Sequence, residues 1–226
     1  MAEEKIAPRD AKLTTKLKNE AENYKVRGEL QNGKGWHAMK IVLASESPFR
    51  RRALDMLGLA YETRPSHIDE KAIRDDDPAR LTQKLAEAKA LKIAEECPNA
   101  IIVSGDAVAA KGSRIFEKPR DNAEAAQFLK ELSGSEFQFV TALAVLDSRT
   151  GKMLSTVETL SITFRPLLDR EIADYIGRYP VLNYAGAFEN DAVHRFAERI
   201  EGSYNIGTAI PVSRLVLFLR VMEVEI

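Results

Sequence analysis

The sequence predicts an α/β fold, a mixed twisted sheet flanked by helices, and three observations carry that reading. Apolar, β-branched runs alternate along the chain with longer segments of helical character. The run "KIVLAS" passes through a Ser-Pro junction into a helical stretch, a strand-turn-helix join. Two further runs, 137–146 and 154–164, flank the turn-rich "DSRTGK" and so form an antiparallel hairpin, which makes the sheet mixed rather than wholly parallel.

In chain order, residues 1–38 are polar and Lys/Glu-rich, have little apolar periodicity and end in the glycine-punctuated "QNGKGWHA". They read as an extension outside the core. Met39 directly precedes the first strand and is the expected native start, with 39–226 as the folded domain. A helix over 48–58 follows the Ser-Pro junction, and a second over 78–96 opens behind Asp75 to Asp77, an N-cap cluster. The apolar run of "AIIVSGDAVAA" is interrupted at "SGD", which places Asp106 at or near the end of a central strand. A helix over 122–132, the hairpin, a helix over 169–178 and a C-terminal helix over 211–221, opened by Pro211 and Ser213, complete the series.

Composition narrows the function. With 33 basic and 34 acidic side chains the formal charge is -1, so neither a nucleic-acid coat nor a polybasic membrane anchor is expected. Aromatic-basic interleaving is also missing, which disfavours an RNA-binding module. Cys97 stands alone and cannot close an internal disulfide, and His37, His67 and His194 do not make a Cys/His zinc cluster, so the expected setting is reducing and cytoplasmic. The apolar run "LVLFL" is far short of the roughly 20 residues of a membrane span.

Three places could carry chemistry. The start of the helix in "ASESPFRRRAL" presents unpaired backbone N–H groups, which attract anions; the alternative is a capped surface helix whose arginines at 50, 51 and 52 are solvated. In the second helix Leu81, Leu85, Lys89 and Ile93 share one face, so Lys89 interrupts an apolar stripe, either as a snorkelling stem or as a cation aimed into a cleft. Asp106 needs a partner and suits a metal or general-base role, against the alternative of an Asp bonded to loop amides, while Gly105 beside it allows close backbone approach. Asp69 and Glu70 follow the apolar Ile68, and Lys118 precedes Pro119 and is therefore extended. No P-loop, dinucleotide-binding or nucleophile-elbow motif is present.

In order, "LASESPFRRRAL", "IDE", "LAEAKA", "SGDAV", "EKPRDNAEA", "LSG", "VTALAV", "NYAGAF" and "RIEGSYNIGTAIP" resemble the Maf family of nucleoside triphosphate pyrophosphatases, from about Met39 onwards. The resemblance implies a Maf/ITPase-like fold with two lobes around a central cleft, and hydrolysis of a nucleoside triphosphate to the monophosphate and pyrophosphate. It implies Ser45 and Arg50 on phosphate oxygens, Lys89 and Lys118 neutralising the polyphosphate, and Glu70 with Asp106 holding Mg²⁺ or Mn²⁺, Asp106 also accepting the proton. A homodimer is the assembly it suggests.

Family members acting on dTTP and UTP carry Arg after the Ser-Pro, Thr after the strand Asp and Gln after the A-G-A block. This chain has Phe49, Ala107 and Asp191 there, which is more similar to the 7-methyl-GTP subtype. An aromatic face can hold a cationic base and a carboxylate can accept from the guanine N–H edge; alternatively Phe49 packs into the core with Ala53, Met56 and Leu57. The chain also departs from the family in lacking a polar residue after Asp106, in Tyr184 where Lys is common and in His194 where Gly is frequent. A dTTP/UTP pyrophosphatase and a non-catalytic nucleotide-binding regulator of cell division are the alternatives.

Overall fold

A computed structural model describes residues 39–203 and 206–226. The polar extension expected over 1–38 lies outside the described residues. Met39–Ile226 forms one compact unit built on a single seven-stranded sheet.

Strand β1 (Lys40–Leu43) is a fully apolar run after its first residue, and it leads into helix α1 (Pro48–Asp55) through Ala44–Ser47. The short β2 (Glu62–Thr63) lies parallel to β1 on its outer side. Helix α2 (Pro78–Glu96) returns the chain to β3 (Ala100–Lys111), which pairs parallel with β1 on the other side. From there pairing turns antiparallel: β4 (Arg114–Phe116) folds back on the end of β3, and β5 (Glu136–Asp147) pairs along nearly all of it. Strand β6 (Lys152–Phe164) continues the hairpin and β7 (Ala197–Glu201) closes that edge, giving the order β2-β1-β3-β5-β6-β7. Helices α3 (Asn122–Leu132) and α4 (Asp169–Arg178) flank the far end of the sheet, and α5 (Val212–Val221) ends the chain.

The sheet is continuous but its core is not. Near the start of β3, side chains alternate between two faces, as a pleated strand buried on both sides requires. Ile41, Leu43, Ile101, Val103, Leu143 and Val145 meet α1 and α5, whereas Val42, Ile102, Ala142, Ala144 and Leu146 meet α2. Ala86 and Ala90 let α2 approach the sheet closely. At the far end a cluster rich in phenylalanine, including Phe137, Phe139, Phe164 and Phe188, packs under α3 and α4. The two lobes meet at Ser104–Ala107, in the middle of β3, where apolar packing on the α2 face gives way to Ser104 and Asp106.

The boundaries of α2, α3 and α4 coincide with the predicted helices because their starts are marked. Asp77 accepts from the Ala79 and Arg80 N–H groups at 2.8 and 3.1 Å, and Asp121 from Glu124 at 2.8 Å. Three expectations need correction. Helix α1 stops at Asp55 rather than 58, since the chain tightens into a turn that Gly58 completes at φ +65°. Ser47 occupies its N-cap position without a side-chain hydrogen bond, so no serine caps that helix. Strand β3 does not end near Asp106 but runs five residues beyond it, because β5 supplies a backbone partner as far as Ala110, Ala142 standing opposite Asp106, and β4 pairs with Lys111. The short β2 and β7 are largely polar and β4 is only three residues long, so none carried enough periodicity to be predicted.

Candidate active site

Asp106 points from the middle of β3 towards α2 and is buried. Lys89, also buried, donates from Nζ to Asp106 Oδ1 at 2.6 Å. A helical side chain leans towards the helix N-terminus, so Lys89 extends over the turn of Ala86, where Ser104 Oγ donates to the Ala86 carbonyl at 2.6 Å and pins helix to strand two residues before Asp106. The interruption of the apolar stripe is thus a cation directed at a carboxylate, not a stem reaching for solvent.

The same Nζ lies 2.9 Å from Glu70 Oε1. Glu70 opens a single helical turn, Glu70–Ala72, whose start is fixed by Asp69 accepting from the Lys71 N–H at 3.1 Å. Burial pushes the Glu70 carboxyl up, but the Lys89 ammonium, with the charges of Lys118 and Arg50 behind it, outweighs this and holds it below its ordinary value. Lys118 therefore faces the cluster electrostatically from the segment after β4.

Arg50 enters from α1. Its Nη1 donates to Ser45 Oγ at 3.1 Å, and the same oxygen accepts from the Ser47 N–H at 3.1 Å. Ser45 is therefore an orienting group at the start of α1, bringing the guanidinium towards Asp106 and Glu70. Burial lowers the Arg50 pKa from its ordinary value, opposed by those two carboxylates. Its Nε is enclosed and has no hydrogen-bond partner among the described residues, a donor that costs about 1–3 kcal/mol when left unmet. Gly105 is required by other neighbours: a Cβ there would stand 2.3 Å from Ile210 Cγ2 and 2.8 Å from the Ala142 carbonyl, while only in ordinary contact, 3.5 Å, with Arg50 Nε.

Arg50, Lys89 and Lys118 thus surround Glu70 and Asp106, one more cation than carboxylates, so the cluster suits an incoming polyanion. Among the described residues no group of three His, Cys, Asp or Glu side chains is placed to hold a metal. Two carboxylates converging on one position nevertheless match the way Mg²⁺ is bound, by one or two protein carboxylates completed by water and substrate phosphate. Glu70 and Asp106 fit that donor set, since oxygens of both lie within bonding distance of one ammonium nitrogen.

The residues expected at the base end are placed differently. Phe49 is buried and its ring meets that of Tyr184 edge-on, with centroids 5.9 Å apart; Met56, expected on the same core face, is 56% exposed. Ala107 is half-buried and packs against the far cluster. Asp191 is exposed, and Arg52 Nη1 donates to both its carboxylate oxygens at 2.9 and 2.7 Å. That pair was not anticipated, nor was the Arg74–Glu117 ion pair at 2.9 Å, which ties the segment after Glu70 to the residue before Lys118. Both join residues far apart in the chain, and no local spacing signals them. A recess of about 460 Å³ bordered by Arg165, Glu171 and Arg195 lies beside the end of β6 and contains none of the residues around Asp106.

Residues 40–222 match the family described as Maf-like protein. The chain is 35% identical over 153 residues to the 7-methyl-GTP pyrophosphatase of Alcanivorax borkumensis, covering 68% of this chain and 78% of that protein. It is 32% identical over 187 residues to the dTTP/UTP pyrophosphatase of Desulforamulus reducens, covering 82% and 98%. With the nucleoside triphosphate pyrophosphatase of Synechococcus sp. (strain JA-3-3Ab) it shares 36% identity over 178 residues, covering 77% and 90%.

Proposed function

The chain belongs to the Maf-like protein family, and from that premise we propose that it is a nucleoside triphosphate pyrophosphatase, hydrolysing its substrate to a nucleoside monophosphate and pyrophosphate. The observation that carries the reading is the buried Lys89 shared by Asp106 and Glu70 beside the enclosed Arg50. Water attacks the α-phosphorus, the bond from that phosphorus to the bridging oxygen breaks, and pyrophosphate leaves with the electron pair. Asp106 takes the proton of the attacking water, a role its place beside Lys89 and Arg50 supports. Arg50, with the Ser45 hydroxyl at the start of α1, holds phosphate oxygens. Lys89 and Lys118 neutralise charge on the departing pyrophosphate. Glu70 and Asp106 would hold Mg²⁺ or Mn²⁺, which when bound lowers the pKa of water and screens the phosphates.

The identities of Phe49, Ala107 and Asp191, which resemble the 7-methyl-GTP subtype, support 7-methyl-GTP as the preferred base class, while the burial of Phe49 against Tyr184 does not add to it. The Arg52–Asp191 pair favours a second reading in which the base is uncharged, as in UTP or dTTP, because Asp191 is already neutralised. No described helix is long and apolar enough to cross a membrane, and the proposed setting is the cytoplasm, with a second copy of the chain as the proposed partner.

The test is pyrophosphate release by the purified protein from 7-methyl-GTP, GTP, UTP, dTTP and CTP, with Mg²⁺, with Mn²⁺ and with chelator, beside Asp106→Asn. Metal-dependent release that the variant lacks supports the reading. Nucleotide binding with no release from any of the five would replace it with a regulator.

A further inference from the structure

Helix α1 presents two arginines to different surroundings. Arg50 is directed at Asp106 and Glu70, whereas Arg52, two residues on and so about 200° around the helix, leaves that cluster and meets Asp191. Phe49 lies on the same side of α1 as Arg52, and its contact with Tyr184 shows that the 184–191 segment abuts the helix along this side. The side chains of Arg52 and Asp191 are 44% and 52% exposed, so a ligand that contacts Asp191 meets its paired guanidinium as well. The carboxylate gives one face of each oxygen to a single guanidinium nitrogen and keeps acceptor capacity, but its charge is balanced.

We infer that Arg52 is a specificity-determining residue, one that sets how strongly the site favours positive charge on the base. The inference rests on the reading of Asp191 as a base-facing residue. An unpaired Asp191 would attract a cationic purine; the Arg52–Asp191 pair presents a neutral rim and removes most of that attraction. The shift is bounded by the exposure of the pair, since a unit charge a few ångströms away in half-solvated surroundings alters affinity by roughly five- to tenfold. Arg52 therefore acts on selectivity and not on the cleavage step.

The probes are 7-methyl-GTP and GTP, which differ by one methyl group and the positive charge it confers on the ring, assayed where N1 of both stays protonated. The quantity read is the ratio of kcat/KM for 7-methyl-GTP to that for GTP, for the wild type, Arg52→Gln, Arg52→Lys and Asp191→Asn. Arg52→Gln is expected to raise the ratio about five- to tenfold, Arg52→Lys to leave it within about twofold, and Asp191→Asn to lower it. A ratio unmoved by Arg52→Gln while both nucleotides turn over overturns the inference and leaves the pyrophosphatase reading intact. If the wild type cleaves neither nucleotide, equilibrium binding of the same two nucleotides to the wild type and Arg52→Gln supplies the ratio without turnover, while release from UTP, dTTP and CTP decides the pyrophosphatase reading. Equal binding ratios, or binding of neither, overturn the inference in that case as well.

Discussion

Asp106→Asn should cost more stability than Glu70→Gln, although both remove one carboxylate from the same ammonium. The side chain of Asp106 is 10% exposed and faces Lys89 at 2.6 Å with Arg50 close by; that of Glu70 is 55% exposed. Breaking a buried pair from one side costs about 3–5 kcal/mol, because the surviving charge stays desolvated without compensation. Asparagine keeps an oxygen that can accept from Nζ, so the expected loss for Asp106→Asn is nearer 2–4 kcal/mol. Solvent screens Glu70, and Glu70→Gln should cost about 0–1 kcal/mol. Against a stability of about 5–15 kcal/mol both variants stay folded, so lost turnover in Asp106→Asn is separable from unfolding. Urea unfolding followed by circular dichroism, in chelator at neutral pH, measures both. The double variant Lys89→Met with Asp106→Asn should be more stable than the two single losses predict, since it removes the unpaired charge. Losses for Asp106→Asn and Glu70→Gln within about 0.5 kcal/mol of each other would refute the claim that burial decides the cost.

Three further outcomes can be checked by the same means. Gly105→Ala places a methyl 2.3 Å from Ile210 Cγ2 and 2.8 Å from the Ala142 carbonyl, and overpacking of this kind costs about 1–3 kcal/mol, a drop of roughly 2–12 °C in Tm by scanning calorimetry; an unchanged Tm would mean that β3 and Ile210 yield freely. The Glu70 carboxyl is held below its ordinary 4.5 in the folded state, so its contribution is complete above that value and is lost as pH falls through the lower folded pKa. Glu70→Gln should accordingly flatten the acid side of the stability profile below about pH 4.5 and leave the neutral side little changed, which acid titration of the unfolding midpoint reads directly. Asp77→Ala removes the acceptor for two N–H groups of α2 and should cost about 1 kcal/mol, with Asp77→Asn recovering most of it.

Legibility followed the range of the determinants. The register of α2 could be read because Asp77 and Pro78 mark its start, and Lys89 could be singled out because a four-residue spacing places it between Leu85 and Ile93 on one face. Its partner could not: Asp106 is bound to it only through the packing of α2 on β3, which Ala86, Ala90 and Ser104 set. Asp191 was recognised as a charged residue at an informative place, but the side chain that neutralises it lies 139 positions earlier in the sequence. A carboxylate read alone therefore showed no sign of the guanidinium that balances its charge.

The placement of Asp106 shows why the strand end was misread and why the carboxylate nevertheless stands beside the start of a helix. Ligands gather beyond the carboxyl ends of parallel strands, where helix starts converge. In this sheet the parallel pairing between β1 and β3 extends only to Leu43 opposite Val103, after which β1 gives way to the Ser45–Ser47 junction and α1. Strand β3 has no reason to stop there, because its antiparallel neighbour β5 still pairs with it. Ser104, Gly105 and Asp106 therefore stay in the sheet while standing beyond the end of β1, beside the start of α1. Asp106 is in mid-strand with respect to β5 and past the strand end with respect to β1. The antiparallel pairing fixes the backbone of the carboxylate, and the early end of β1 opens the side from which Arg50 can approach it.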